Sequence, residues 1–407
     1  MSATDVVEQA PEAIAAIATA IGGAPLVAFD LEFLAQDRLV PTLCLVQVAW
    51  LEHGLLDASQ APMDASAPGV QVRLIDPLAA DVGPVIRALA AHPCVVAHAP
   101  RQDLAILAAR FGVAMPAILD TQIMAAFAGI GDQIGFAALA NELLGLGLGK
   151  ELQWTDWGRR PLSDAQLAYA AADVRYLPAI YARLGARLGA RLAWARAESA
   201  EVAAEAEAAA GVTPETAWRH IGGLRGLDAA TLAVVVDLAA WRQRRCAELD
   251  RPLGQVLPDK LILDLARQRP SGAAAVRAFK AIPGLGRQHA AEIAEVIAAA
   301  RPGVVPVVAA GRAPSQRAQR WSELLISIVQ LVAEQLRIAP RLLATRADAE
   351  ELARAVDERG LAAADELPAM TGWRRDVLGR AWLGWLTGAL VLVGDVDAPH
   401  GVRLAPR

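Results

Sequence analysis

The sequence predicts an α/β domain at the front of the chain, followed by two all-helical domains. Residues 25–52 contain two apolar segments with the composition of β-strands, separated by a polar turn at 36–38. Most segments of residues 120–192, and those from 227 onward, have the spacing of helices and end at glycine or proline. A chain of 407 residues is also too long for one ordinary core, which indicates two or three domains.

Changes in composition place the domain boundaries. Residues 195–211 are almost entirely Ala and Glu, which is typical of a solvated helix or helical linker. Residues 57–70 are small, polar and proline-containing, and they predict an inserted surface loop within a hairpin. The predicted units are the α/β domain at 1–198, a helical linker at 199–226, a first helical domain at 227–301, a linker at 302–315, a second helical domain at 316–393 and a C-terminal tail at 394–407.

Composition excludes several classes of protein. With 55% hydrophobic and 20% charged residues the chain is globular, not disordered. No basic residue precedes the first apolar stretch, as a secretory signal would require, and no apolar run is long enough to span a bilayer. Cys44, Cys94 and Cys246 are too few and too widely spaced for a disulfide framework. We therefore expect a cytoplasmic protein with free thiols and no membrane partner.

The charge is distributed unevenly along the chain. The net charge of −5 argues against binding nucleic acid through overall positive charge. Residues 1–198 carry 13 basic and 20 acidic residues, a net charge of −7, whereas the remainder carries +2. An acidic domain that meets a polyanion needs bound cations, and metal ions would supply them.

Two acids on the first predicted strand are candidates for metal binding. Asp30 and Glu32 alternate with apolar neighbours in FDLEF, so their side chains point to the same face. Leu31 and Phe33 occupy the opposite face. Two carboxylates side by side favour a divalent cation, although two solvent-facing acids on a half-buried strand would give the same pattern.

Three further residues extend this set. Asp103 follows the third strand in VVAHAPRQDLAIL, where it is either a site acid or an acid that caps the next helix. Asp173 comes four residues after Tyr169, so on a helix the carboxyl and the phenol share one face. The phenol could orient a metal-bound water, or it could belong to a core stripe with the acid at its edge.

The order of these five residues resembles the DEDD exonuclease superfamily in its tyrosine-bearing branch. The segments VAFDLEF, HAPRQDLAIL, LDTQIMAAFAG and TDWGRRPLSDAQLAYAAADVRYL are similar to the ribonuclease D family, and the resemblance covers nearly the whole chain. It implies an α/β ribonuclease-H-like exonuclease domain with a mixed sheet, followed by two HRDC-type helical domains. It also implies that Asp30, Glu32, Asp103 and Asp173 bind metal and that Tyr169 positions the attacking water.

The resemblance further implies an activity. Two Mg²⁺ or Mn²⁺ ions, on the order of 3.5–4 Å apart, would flank the scissile phosphate. The expected enzyme is a monomeric 3′→5′ exoribonuclease that releases nucleoside 5′-monophosphates from RNA with an accessible 3′ end, tRNA precursors in particular. The alternatives are a DNA 3′→5′ exonuclease and a non-catalytic RNA-binding scaffold.

Several residues near these acids are candidates for substrate contact. Phe33 could line the slot for the terminal nucleotide, and Gln102 matches the wording of the family. His98 is either a buried histidine, the interpretation we favour, or a phosphate contact. Trp157, Arg159 and Arg160 also match the family, but packing explains them equally well. Asp120 in LDTQ is expected to cap the next helix.

The first helical domain is similar to the domain shared by RecQ-type helicases and ribonuclease D. The similarity includes a long first helix with basic residues, the DRPLGQVLPD connection and the IPGLG turn at 282–286. It implies a nucleic-acid-binding surface, although a solvated basic face would have the same composition, and Trp241 is expected in the core. The candidate phosphate contacts are Arg242, Arg244, Arg245, Arg251 and Lys260. The second helical domain resembles a divergent second copy that would close a ring admitting flexible 3′ ends.

Overall fold

The protein contains a mixed sheet with helices on both faces and two sets of helices behind it. A computed structural model describes residues 7–35, 37–51, 69–149, 155–280, 282–302, 314–398 and 400–407. The predicted inserted loop falls largely outside the described residues, at 57–68, as does most of the second linker, at 303–313.

Six strands form the sheet, in the order β1-β4-β3-β2-β5-β6. Strand β3 is antiparallel to both β2 and β4, and the other neighbouring pairs are parallel, which confirms the predicted mixed sheet. The short strands β1 and β6 were not predicted, because two or three residues are too few to show alternation. The strands are β1 Val7–Glu8, β2 Val27–Leu34, β3 Thr42–Leu51, β4 Val70–Ile75, β5 Val95–Ala97 and β6 Ile118–Asp120.

The sheet separates two apolar layers. On one face of the sheet, Phe29 and Leu31 of β2 pack with the helices at Pro11–Gly23 and Gly83–Ala91. On the other face, Ala28 packs with helices from later in the chain. Strand β3 is buried from Leu43 to Leu51, as expected for a central strand covered on both faces. The helices of this domain are α1 Pro11–Gly23, α2 Gly83–Ala91, α3 Arg101–Phe111, α4 Thr121–Phe127, α5 Phe136–Leu144, α6 Asp164–Arg175, α7 Leu177–Leu188 and α8 Leu192–Ala210.

Local signals set the ends of these helices. Helices α3 and α5 end at the left-handed glycines Gly112 and Gly145, as their sequences predict. Ser163 caps α6 in a reciprocal capping box with Gln166. The segment after Ser163 forms two helices, because Pro178 lies in the first turn of α7, where a residue without an N–H is tolerated.

Helix α8 corrects the predicted boundary at residue 198. It is not a solvated linker, because Ala195, Ala203 and Ala206 are buried against the α/β domain. The buried hydroxyl of Ser199 accepts a hydrogen bond of 3.0 Å from the backbone N–H of Asp120 at the end of β6. Small alanine side chains allow this close approach, so the α/β domain continues to the end of α8.

The first helical module has a core of its own, which residues 227–302 form together with Ala217, Trp218, Ile221 and Leu224 from the predicted linker. Leu39, from the β2–β3 loop, is the residue of the α/β domain that packs against this core in the described part of the chain. The same loop contacts the module through Arg38, which pairs with Asp250 at 3.0 Å, and through Asp37, which accepts a hydrogen bond from Gln255. The helices are α9 Ala229–Leu249, α10 Leu253–Val256, α11 Asp259–Gln268, α12 Gly272–Arg277, α13 Gly284–Gln288 and α14 Ala290–Ala299.

The second helical module, residues 314–398 and 400–407, shares one continuous apolar core with the α/β domain. The indole of Trp373 stacks on Trp194 with ring centroids 5.0 Å apart and meets Phe127 edge-on. The helices are α15 Gln316–Leu336, α16 Pro340–Leu343, α17 Arg346–Arg359, α18 Gly372–Arg374 and α19 Arg380–Leu386, with a π-helical turn at Arg375–Gly379.

The predicted C-terminal tail is part of a β-hairpin. Strands β7, Leu390–Gly394, and β8, Val402–Pro406, pair in antiparallel fashion. The boundary predicted after residue 393 therefore falls inside this hairpin, and Leu392 of β7 and Leu404 of β8 pack against the core of the second module.

All three cysteines are free thiols, as predicted. Within the ranges given above, no helix is both long enough and apolar enough to cross a membrane.

The two modules should differ in how firmly they are docked, and two arginine substitutions test this. Arg374 is 17% exposed and contacts Glu198 and the carbonyl of Leu342, so Arg374→Ala leaves a buried acid uncompensated. We expect a loss of about 3 kcal/mol of unfolding free energy. Arg38→Ala removes a pair of which the arginine is 53% exposed, and should cost less than about 1 kcal/mol. Denaturant unfolding measures both; equal losses would contradict the difference between the interfaces.

Candidate active site

Three carboxylates meet where β2 passes beneath α6. Asp30 and Glu32 lie on the face of β2 that α6 covers, and Asp173 comes from the helix. One oxygen from each carboxylate lies within 4.8 Å of the others, a spacing that could hold a metal ion. Carboxylate oxygens are the ligands that Mg²⁺ and Mn²⁺ prefer, so this donor set fits a hard divalent cation.

A small apolar cluster fixes α6 on the sheet. Ala170 of the helix packs against Cys44 and Leu45 of β3, together with Trp157 and Leu162 from the preceding segment. The pairing of β2 with β3 shifts register between Glu32 and Phe33, beside the acids. Such irregularities bend a strand and re-aim its side chains, and they are common next to active sites.

Asp103 completes the predicted set of acids but lies outside the close group of three. It is in the first turn of α3, is 8% exposed, and lines the same cleft as Asp30. Burial, and then the charge of Asp30, raise the pKa of Asp103 well above its usual value. The structure thus brings all four acids to one cleft, with Asp103 approaching from the opposite side to α6.

The acids are held in an environment that opposes their ionisation. Burial raises the pKa of Asp30 from 3.8 to about 7, and burial with the charge of Asp30 raises the pKa of Asp173 to about 8. At Glu32, burial and then the charges of the three aspartates raise the pKa from 4.5 to about 9. This accumulation of buried negative charge favours cation binding.

Tyr169 faces the acids from α6. Its phenol lies one helical turn before Asp173 and donates a hydrogen bond to that carboxylate. Burial, and then the negative charges of Asp173 and Glu32, raise the pKa of the phenol above its usual value, so it stays protonated. The ring of Trp157 lies 6.1 Å away, measured between centroids, and restricts the tyrosine on its other side.

The acids open into a cleft of about 610 Å³. Phe33 and Gln102, two of the predicted substrate contacts, line it, and Gln102 is exposed. Phe136 and Thr155 also line it, although sequence reasoning did not single them out. No motif or charge in the sequence marks either residue as part of a site, and Phe136 is the first residue of an ordinary amphipathic helix.

His98 is packed into the wall of the cleft. Its Nδ1 lies 2.9 Å from the hydroxyl of Thr121, and its ring meets Phe136 edge-on. Burial lowers the pKa of His98 to about 4, so the imidazole is neutral near pH 7. A neutral, packed histidine agrees with the buried interpretation and not with a cationic phosphate contact.

The segment that carries Trp157 is clamped to the sheet by Arg160. The guanidinium donates two hydrogen bonds to Asp76, at 2.7 and 2.8 Å, and one to the carbonyl of Cys44. Asp76 is 1% exposed. Arg160 is therefore bound inside the fold, as the packing interpretation predicts, and Trp157 is 2% exposed.

The expected helix cap at Asp120 and the expected core position of Trp241 are confirmed. The carboxylate of Asp120 accepts from the backbone N–H of Gln122 at the start of α4. Trp241 is 6% exposed, and its indole N–H donates to Glu292.

Two of the predicted phosphate contacts on the first helical module are paired with other groups of the protein. Arg242 is 3% exposed and donates to the carbonyl of Leu257 and to Asp259, so its prediction as a phosphate contact is wrong. Arg245 is paired with Glu248 and Glu292. The spacing of basic residues on α9 does not reveal which of them turn inward.

The remaining candidates lie at the surface. Arg244 and Lys260 are exposed. Arg251 donates to the backbone carbonyl of Asp37, so it lies where the module meets the β2–β3 loop. A cavity of about 420 Å³ there is lined by Arg251 and by Leu34, which also lines the cleft.

Comparison with known proteins matches this architecture. A family model described as a 3′-5′ exonuclease matches residues 7–189, and one described as an HRDC domain matches residues 231–300. A ribonuclease D of Acidiphilium cryptum is 35% identical over 393 residues, covering 94% of this chain and 93% of that protein. The chain belongs to the ribonuclease D family. A ribonuclease D of Jannaschia sp. is 33% identical, covering 90% of this chain and 92% of its own.

The ribonuclease D fold extends over both helical modules. The crystal structure of Escherichia coli RNase D, an exoribonuclease involved in structured RNA processing, matches with a TM-score of 0.76 at 26% identity. The match covers 94% of this chain and 98% of that one. The protein is thus a 3′→5′ exoribonuclease by family. The second helical module lies beyond the HRDC match, so its kinship with the first stays a prediction.

The raised pKa values predict a stability that depends on pH and metal. Between about pH 5 and pH 9 the metal-free folded state retains protons that the unfolded chain has released, so stability should fall as pH rises. Mn²⁺ should therefore raise the melting temperature more at pH 8 than at pH 6, where protons compete with it.

Thermal unfolding of two variants checks this prediction. Asp173→Asn should lose most of the Mn²⁺-induced rise in melting temperature. Asp164→Asn, which changes an exposed acid in the first turn of the same helix, should retain it. An equal rise in both variants would place the metal elsewhere.

Proposed function

We propose that this protein trims the 3′ ends of structured RNAs, tRNA precursors in particular, and releases nucleoside 5′-monophosphates. The observation that carries the proposal is the convergence of Asp30, Glu32, Asp103, Asp173 and Tyr169 on one cleft. The similarity to E. coli RNase D, which is involved in structured RNA processing, supports RNA as the substrate. Free thiols are consistent with action in the reducing cytoplasm, and we propose a monomer.

The proposed cofactors are two Mg²⁺ or Mn²⁺ ions. The donors fit them, because Asp30, Glu32 and Asp173 present oxygens within 4.8 Å of one another and Asp103 adds a fourth carboxylate to the cleft. Bound there, divalent cations would neutralise the scissile phosphate, lower the pKa of the attacking water and stabilise the leaving 3′-oxygen.

The residues of the chain do the positioning. Glu32 from the sheet and Asp173 from the helix present carboxylate oxygens to the same part of the cleft. The protonated phenol of Tyr169 is held beside Asp173, where it can orient the oxygen of the attacking water. Trp157 packs against the phenol, and the imidazole of His98 in the cleft wall is neutral, so neither adds a charge beside the acids.

The cleft is of a size to hold a terminal nucleotide. Its volume of about 610 Å³ lies within the usual range of small-molecule sites. Phe33 and Phe136 offer apolar surface to a base, and Gln102 offers an amide to the sugar or phosphate. A cleft of this size would hold the 3′-terminal nucleotide of the RNA, in agreement with exonucleolytic action.

Binding of the remainder of the RNA is assigned to the first helical module. Arg244 and Lys260 are exposed there, and Arg251 lies at the contact with the β2–β3 loop, between the module and the cleft. Such contacts to phosphate add affinity without reading sequence. The net charge of the whole protein then matters less than the position of these few cations.

The direct test incubates purified protein with a tRNA that carries a 3′ trailer, in the presence of Mg²⁺ or Mn²⁺. We expect stepwise shortening from the 3′ end and release of nucleoside 5′-monophosphates. A DNA strand of the same sequence should be degraded more slowly; preference for DNA would favour the alternative of a DNA exonuclease. Binding of the tRNA without any release of monophosphates would contradict the proposed activity.

Loss of a metal-binding acid should abolish hydrolysis and spare binding. Asp173→Asn keeps the shape of the side chain but removes its charge, and should lower kcat by roughly 10³-fold or more. RNA affinity, measured by filter binding, should remain within about twofold, because binding is assigned mostly to the helical module. Asp164→Asn is the matched control, and a parallel loss of affinity in Asp173→Asn would refute this division.

Loss of the phenol hydroxyl should slow turnover without weakening the metal site. Tyr169→Phe retains the ring that packs against Trp157 but cannot orient a water, and we expect kcat to fall about a hundredfold. The Mn²⁺ concentration that gives half-maximal activity should be unchanged. Undiminished turnover in this variant would remove the assigned role of Tyr169.

A further inference from the structure

The turn that leads from β5 into α3 contains a strained residue. Ala99 has a φ of +51°, in the left-handed region that only glycine adopts without cost. A non-glycine residue in such a conformation costs of order 1–3 kcal/mol and persists where the surrounding structure enforces it. Ala99 lines the catalytic cleft.

Asp120 supplies the contact that enforces this conformation. Its Oδ1 accepts a hydrogen bond of 2.8 Å from the backbone N–H of Ala99, and another of 2.8 Å from Gln122. Asp120 is 5% exposed, so the accepting carboxylate itself is largely shielded from water. One buried carboxylate thus caps α4 and holds a residue 21 positions earlier in the chain.

Contacts on both sides of this carboxylate keep it rigid. The N–H of Asp120 donates to the hydroxyl of Ser199 on α8, and that hydroxyl donates to the carbonyl of Ala195. The hydroxyl of Thr121 lies 3.2 Å from the carbonyl of Ala97 and 2.9 Å from Nδ1 of His98. The turn is therefore tied to the β6–α4 junction at three consecutive residues, 97 to 99.

The turn determines where Asp103 is presented. Helix α3 begins directly after Ala99 and Pro100, and the carbonyl of Pro100 accepts the N–H of Leu104 at 2.9 Å. Asp103 lies in this first helical turn, so a change in φ at Ala99 would redirect the helix start and the Asp103 carboxylate with it. Asp30 and Glu32 need no such support, because their pairing with Gln47 and Leu45 of β3 fixes them.

We propose that Asp120 is a positioning residue for hydrolysis: by accepting the N–H of Ala99, it holds the left-handed turn that places Asp103 at the scissile phosphate. Its carboxylate acts as a buried hydrogen-bond acceptor, not as a metal ligand. The proposal rests on the proposed function, in which Asp103 takes part in metal binding.

Four variants separate positioning from simple stabilisation. Asp120→Asn retains an oxygen that can accept from both N–H groups, whereas Asp120→Ala removes the acceptor. Ala99→Gly permits a positive φ without strain, so in combination with Asp120→Ala it should relieve the need for the contact. Asp228→Ala is the matched control, because Asp228 likewise caps a helix, α9, in the first helical module.

The expected pattern is specific in both kinetics and metal response. Asp120→Ala should lower kcat roughly tenfold to a hundredfold, in line with a misplaced catalytic group. It should also raise the Mn²⁺ concentration needed for half-maximal activity and leave RNA affinity unchanged. Asp120→Asn should behave as the unmodified protein, the double variant Asp120→Ala with Ala99→Gly should recover most of the loss, and Asp228→Ala should lose stability but not kcat.

Several results would overturn the proposal. An Asn variant as impaired as the Ala variant would show that the charge, not the acceptor, matters; failure of Ala99→Gly to restore activity would show that the turn is not the target. If Asp120→Ala does not fold, Asp120→Ser replaces it, because serine caps a helix well but its shorter side chain reaches Ala99 poorly. An unmodified protein that releases no monophosphates would instead refute the proposed function, which keeps the two failures distinct.

Discussion

Four carboxylates at one cleft, with Asp103 buried and the other three half-buried, impose the constraint on which the rest of the molecule depends. Burial and mutual repulsion raise the pKa values of Asp30, Glu32 and Asp173 to about 7, 9 and 8. When no cation neutralises them, the ionised acids therefore destabilise the folded state. Contacts in the surrounding structure offset this destabilisation. The double hydrogen bond of Arg160 with Asp76 and the apolar cluster around Ala170 hold α6 onto the sheet despite that repulsion.

The two helical modules are attached by different physical means, which suits different roles. The second shares an apolar core with the α/β domain and buries the pair of Arg374 with Glu198, so it acts as part of the scaffold. The first has a separate core, and its contact with the β2–β3 loop consists largely of half-exposed polar pairs. Salt weakens such pairs, whereas it affects a buried core much less. A module attached in this way can move slightly without disturbing the catalytic acids, as its proposed role in RNA binding would require.

The sequence was sufficient where local geometry decides the outcome and insufficient where distant contacts do. Alternation along β2 placed Asp30 and Glu32 on one face, and helical spacing placed Tyr169 beside Asp173, because both periods are fixed by the backbone. The same reasoning misjudged Arg242, since nothing local shows that its partners lie across the module at Leu257 and Asp259. It also took α8 for a solvated helix, because alanine indicates helix but not what the helix packs against. The short strands of the C-terminal hairpin were missed for want of a detectable period.

The acids of the cleft also differ in the kind of support that each requires. Asp30 and Glu32 are held by the antiparallel pairing of β2 with β3, and Asp173 lies in the last turn of α6, a capped helix packed on the sheet, so well-packed secondary structure positions them. Asp103 stands at the start of a helix, where the chain enters from a turn and the backbone is least determined. The start of α3 must therefore be held by a tertiary contact, and the hydrogen bond from Ala99 to Asp120 is such a contact. The positive φ of Ala99 is therefore backbone strain that the fold tolerates in order to place the Asp103 carboxylate in the cleft.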